Sequence, residues 1–185
     1  VGDGLNPDVE VGPLVNMKAL SKVESYMGVA ESEGVRTVLG GARASVPLGY
    51  FFQPTLLDRV SPEMRVAREE IFGPVLSIIE VGSLDEAVEV NNSVIYGLSS
   101  SIFTENVNAA FRAIRDLATG IVYINHGTTG AEIQFPFGGT RGTGNGMREA
   151  GQTALDSFTE WKSVYVDYSG RLQRAQIDTE AVLNG

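Results

Sequence analysis

The stretch Ala67-Arg68-Glu69-Glu70-Ile71-Phe72-Gly73-Pro74-Val75-Leu76 decides how this chain is read. Glu70 and Phe72 lie two residues apart, a spacing that in extended backbone puts both on one face. Gly73-Pro74 then turns the chain, and residues 74–81 form a β-rich run that reads as a buried strand. On residue types alone, a Glu beside a strand start is a solvated group and a Phe is a core group.

Outward from this stretch, helical and extended signals alternate. Leu14, Leu20, Val23, Met27 and Ala30 recur at helical spacing, and Gly34 supplies a stop. Residues 35–39 read as a short strand closed by Gly40-Gly41, and residues 50–57 as a strand with Pro54 at an edge or bend. Ser61-Pro62 is a start signal for one short helical turn. Ser83-Leu84-Asp85-Glu86 is a capping box opening a helix to about Asn92. Residues 98–103 and 121–125 read as strands flanking a helix capped by Asn106, with Ala110, Ile114 and Leu117 inward. Strands alternating with helices indicate an α/β fold with a largely parallel sheet and flanking helices. Residues 128–146 form a long Gly-rich loop, of a length that is functional or disordered in compact domains. Residues 151–160 read as a short helix. Residues 161–168 alternate Val164, Val166 and Tyr168 against Tyr165 and Asp167, a strand with one buried face. The expected division is therefore residues 1–160, a strand at 161–168 and a polar, loosely ordered tail at 169–185.

The 185 residues carry 23 acidic and 14 basic side chains, a net charge of −9, which disfavours nucleic acid. No apolar run approaches the ~20 residues of a membrane span, and no signal peptide is recognisable, so a cytoplasmic setting without membrane partners is expected. The sequon Asn91-Asn92-Ser93 is then idle. The sequence contains no cysteine, so it has neither disulfides nor thiolate metal sites. His126, the single histidine, has no acidic or histidine neighbours at metal-ligand spacing, and no metal site is expected. No G-x-S-x-G nucleophile elbow occurs. The run 138–146 has neither the dinucleotide-binding glycine register nor a P-loop.

A set of motifs, in order, resembles the aldehyde dehydrogenases. Residues 69–76, EEIFGPVL, match that family's signature over their whole length. Val1-Gly2-Asp3 resembles its VGDP segment, with Gly4 for Pro, and Val11-Gly12-Pro13-Leu14 the segment that follows. Residues 49–55 resemble GYFxxPT, and Tyr96-Gly97-Leu98-Ser99 resembles YGLS. Residues 120–125 resemble the G-x-(V/I)-x-(V/I)-N strand. Pro136 to Arg141 resembles PFGGxK with Arg141 for Lys. Residues 143–151 resemble SGxGRExG, with Thr143 for Ser and Met147 inserted. The resemblance runs to about Tyr168.

The resemblance implies NAD or NADP as cofactor, with Glu70 on the nicotinamide ribose and Phe72 beside the nicotinamide. A carboxylate suits ribose hydroxyls and a phenyl ring suits a flat heterocycle. It places Phe137 at the aldehyde pocket. Gly130-Ala131-Glu132 resembles the loop of semialdehyde-type members, whose backbone amides grip a distal carboxylate. Such amides form an anion nest, although a plain tight turn fits the same residues. The strand at 161–168 is expected to extend a sheet shared between subunits, giving a homo-oligomer. The family's cysteine nucleophile, its glutamate base and its main dinucleotide fold precede the VGDP segment. The chain is thus expected to be the C-terminal part of the catalytic domain of an aldehyde-oxidising enzyme, contributing no catalytic residue and inactive alone. The alternative is a non-catalytic module that keeps the fold for oligomerisation or binding.

Overall fold

The computed structural model describes residues 1–171. Helix α1, Met17–Ser32, begins where the Asn16 side chain accepts the Ala19 amide at 2.9 Å. It ends in a Schellman motif. Gly34 takes φ 74°, its amide donates to Glu31, and the Val35 amide donates to Ala30. Leu20, Val23, Tyr26 and Ala30 form its buried face.

That face covers a three-stranded sheet, order β1-β2-β3, made by β1 (Arg36–Leu39), β2 (Thr55–Asp58) and β3 (Val75–Ser77). β1 runs antiparallel to β2, and β2 runs parallel to β3. Leu20, Val23, Tyr26 and Ala30 pack with Phe52, Leu57, Val60, Val66 and Ile71 in one apolar cluster. A second, two-stranded parallel sheet pairs β4 (Ser99–Ile102) with β5 (Ile121–Ile124), with α3 (Leu84–Asn92) and α4 (Val107–Asp116) alongside. Two of the three strand pairings are parallel, so the α/β, largely parallel expectation holds.

The structure revises several element expectations. Pairing in β2 starts only at Thr55, because Pro54 has no N–H to offer; Phe52 makes a lone bridge to Arg43. Ser61 and Pro62 form a turn, and the short helix α2 (Arg65–Arg68) starts four residues later. β3 is an edge strand, and Leu76 is 64% exposed rather than buried. The inward face of α4 centres on Ala113, which leaves Ile114 half exposed. Residues 152–157 are a 3-10 helix. Residues 161–168 form no ladder among the described residues, and Trp161, Tyr165 and Tyr168 are almost fully exposed. Their alternation suits a strand, but among the described residues no neighbouring edge pairs with it. Most of the 169–185 tail lies outside the described residues.

Candidate functional site

The residues singled out from the sequence fall into two places. The first is the start of α1. Glu70 and Phe72 line a depression of about 350 Å³ with Val15, Asn16, Lys18, Ala19 and Lys22. The Glu70 carboxylate is exposed and has no ion-pair partner among the described residues. Phe72 sits at φ 60° and is 75% exposed. A left-handed backbone at an aromatic residue is uncommon, and an exposed ring there gains nothing from the core.

Neighbours hold this segment in place. The Tyr26 hydroxyl donates to Glu69 Oε2 at 2.7 Å, and the Arg65 guanidinium forks onto both Glu69 oxygens at 2.9 Å. Those bonds, Arg65's first and Tyr26's next, lower the Glu69 carboxyl to about 2. The same bond from the other side raises the Tyr26 hydroxyl above its ordinary value, because ionisation would place two anions together. Lys22, Tyr26 and Arg65 are residues that sequence reading does not single out. The available signal was the pair Lys22 and Tyr26, one turn apart on a helix whose apolar face was already legible.

The second place is the mouth of β5. Gly130, Ala131 and Phe137 are brought together with Ile121, Val122, Tyr123, Glu132, Phe135 and Pro136 around a cavity of about 330 Å³. Gly130 takes φ 85°, and a Cβ there would meet open space, so the turn geometry rather than crowding selects glycine. The Gly130 and Ala131 amides donate to no protein acceptor among the described residues. Phe137 also borders a neighbouring cavity of about 520 Å³ lined by Gly138, Arg148 and Glu149. The loop is anchored from beneath. Asn125, at φ 54°, accepts the Thr104 amide at 2.7 Å and donates to the Thr104 carbonyl at 2.9 Å. Arg141 bridges the carbonyls of Asn92 and Tyr96 with two guanidinium nitrogens, which a lysine could not do in the same planar way. His126 stacks on Tyr123, with Nδ1 2.6 Å from the Gly127 carbonyl oxygen. Among the described residues no cluster of three acidic or histidine side chains could hold a metal, and no helix is long and apolar enough to cross a membrane.

The aldehyde dehydrogenase family profile matches residues 1–164. The chain belongs to the aldehyde dehydrogenase family. It is 40% identical over 169 residues to the alpha-ketoglutaric semialdehyde dehydrogenase of Bacillus subtilis, a match covering 90% of this chain and 35% of the relative. To a betaine aldehyde dehydrogenase of Cereibacter sphaeroides it is 40% identical, over 90% of this chain and 34% of the relative. Among solved structures, an NAD-dependent aldehyde dehydrogenase from Sinorhizobium meliloti superposes with TM-score 0.88 at 35% identity, covering 95% of this chain and 34% of that one. The NAD+ complex of an aldehyde dehydrogenase from Bacillus cereus superposes with TM-score 0.83 at 37% identity, over 89% of this chain and 33% of that one. The aldehyde dehydrogenase chain thus spans about a third of the length of the relatives it matches.

Proposed function

We propose that this chain forms the C-terminal part of the catalytic domain of an NAD(P)-dependent aldehyde dehydrogenase that oxidises an aldehyde to a carboxylate. The observation that carries the reading is the paired display of Glu70 and Phe72 on one depression, within a chain of this family. The residues fit the nicotinamide end of the cofactor. An unpaired carboxylate can accept hydrogen bonds from two ribose hydroxyls, and an exposed ring can lie against the nicotinamide face. NAD(P), when bound, supplies the hydride acceptor. Covalent capture of the aldehyde needs a thiolate and a base, and these 185 residues contain no cysteine, so the nucleophile comes from outside them. The 185-residue chain alone is therefore expected to be inactive.

Gly130 and Ala131 offer free amides to a distal carboxylate, which supports a small semialdehyde acid as substrate. Phe137 would pack beside the aldehyde. One observation favours a second reading. Glu132 and the rings of Tyr123, Phe135 and Phe137 line the same cavity, a combination that suits a cationic aldehyde such as a quaternary ammonium compound. Residues 161–168 would add to a sheet edge of a second subunit, satisfying backbone groups that have no ladder here. A module kept only for oligomerisation would have no use for the Glu70 and Phe72 display.

The test is a chimera joining the upstream two-thirds of the Bacillus subtilis relative to Val1 of this chain. Aldehyde-dependent NADH formation is expected. Glu70→Gln and Phe72→Ala should each lower turnover on the order of 10²-fold through lost orientation. A chimera that assembles and binds NAD+ but is indifferent to both substitutions would remove the proposed roles. Comparing a carboxylate-bearing with a trimethylammonium-bearing aldehyde decides between the two substrate readings.

A further inference from the structure

We propose that Lys22, Tyr26 and Arg65 are positioning residues, which lock residues 69–73 so that the Glu70 carboxylate and the Phe72 ring face the depression at the start of α1. The inference rests on the cofactor reading above for its purpose, but not for its geometry.

Five consecutive residues meet five different constraints. Glu69 is held by the Arg65 fork and by the Tyr26 hydroxyl. Glu70 is held by its backbone alone: Lys22 Nζ donates to its carbonyl at 2.5 Å, which leaves the carboxylate free. Ile71 is buried in the apolar cluster. Phe72 carries the disfavoured φ of 60°. Gly73 lies flat against Val23 of α1, where a Cβ would collide with the valine methyls. A strained residue persists only where its surroundings over-determine it. Here both flanks of Phe72 are fixed, and three of the fixing groups, Lys22, Val23 and Tyr26, come from one stretch of α1. The Tyr26 ring is itself flanked by two cations, with Lys22 Nζ 5.9 Å and Arg65 Cζ 5.8 Å from its centroid. One helix therefore sets the side-chain directions of both cofactor-facing groups. The doubled glutamate divides the labour: the first is consumed in the lock and the second is left for a ligand.

The test uses the full 185-residue chain, isotope-labelled, with Tyr26→Phe and Lys22→Met variants. Tyr26→Phe keeps the buried ring and removes only the hydroxyl; Lys22 is exposed, so its replacement leaves the core intact. The readouts are the Phe72 backbone coupling that reports φ, and the Phe72 ring shifts at the depression it lines with Val15 and Ala19. The expected result is loss of the positive-φ signature and altered ring shifts in both variants, while Leu57 and the β4–β5 amides keep their shifts. Unchanged Phe72 signals in both would overturn the proposal. Should Tyr26→Phe unfold the chain, Lys22→Met decides alone. The chimera described above separates this inference from the cofactor reading. Phe72 released in the Tyr26→Phe and Lys22→Met chains, together with a chimera that binds NAD+ and turns over equally well with Phe72→Ala, overturns the cofactor role and leaves the lock standing.

Discussion

Glu69 and Glu70 are adjacent and chemically identical, yet their surroundings assign them opposite states. Glu69 accepts three hydrogen bonds and is lowered from 4.5 to about 2, with the Arg65 fork as the largest cause. A depressed carboxyl contributes stability that is fully present above the unfolded value and is lost as pH falls through the folded one. The Glu69 contribution should therefore be intact above about pH 4.5 and disappear on the way to about pH 2. Carboxyl carbon shifts across an acid titration check this: a Glu69 midpoint near 4.5 in the folded chain would contradict the hydrogen bonds described, and Tyr26→Phe should raise the midpoint. Gly40 gives a second prediction. At φ 70°, and with a Cβ that would overlap the Pro54 carbonyl, it cannot carry a side chain. Gly40→Ala should cost at least about 1–3 kcal/mol from backbone strain alone, read by urea unfolding. An unchanged midpoint would show that the turn between β1 and β2 relaxes freely.

Among the elements, α3 shows what a sequence can specify locally. Ser83 Oγ accepts the Glu86 amide at 3.2 Å, as the capping box requires. The return arm differs from the expected one: Glu86 Oε2 accepts the Gly82 amide at 2.7 Å instead of that of Ser83. Ser83→Ala should cost about 1 kcal/mol and speed amide exchange in the first turn of α3, with little change in β5. Equal acceleration in both elements would argue against a local cap. Caps, the Gly34 stop and the parallel pairing of β4 with β5 were legible because they depend on near neighbours or on strong periodicity. The burial of β3 and the inward face of α4 were not, because burial depends on what packs on an element and not on its own pattern. The same division runs through the candidate sites. Glu70, Phe72, Gly130, Ala131 and Phe137 were named from motifs, and the structure gathers them into two cavities. The Tyr26 contact with Glu69 spans 43 residues, and no local pattern announces a partner at that distance.

At the scale of the whole molecule, stability is unevenly placed. The buried apolar cluster draws all its members from the first 71 residues. Beyond residue 82, Ala113 is the one buried hydrophobic among the described residues, whereas Phe103, Val107, Phe111 and Phe158 are each more than half exposed. Among the described residues, the hydrogen bonds of the first 82 stay within that segment except for the local one from Gly82 to Glu86. Two regions linked by so little should not share one unfolding transition. Leu57 is fully buried in the cluster, and Leu57→Ala should cost about 2–5 kcal/mol. Hydrogen exchange read residue by residue would locate that loss: protection should fall in α1 and β1–β3 and stay constant in β4 and β5. A uniform loss across both sheets would mean that the halves are coupled by packing stronger than these contacts suggest. Under the expected outcome, the second half is the weaker one, carrying a 330 Å³ cavity on a sheet of two strands with little core beneath it. Its exposed apolar surface should then bind a hydrophobic dye in the parent chain, and Leu57→Ala should leave that part of the signal unchanged.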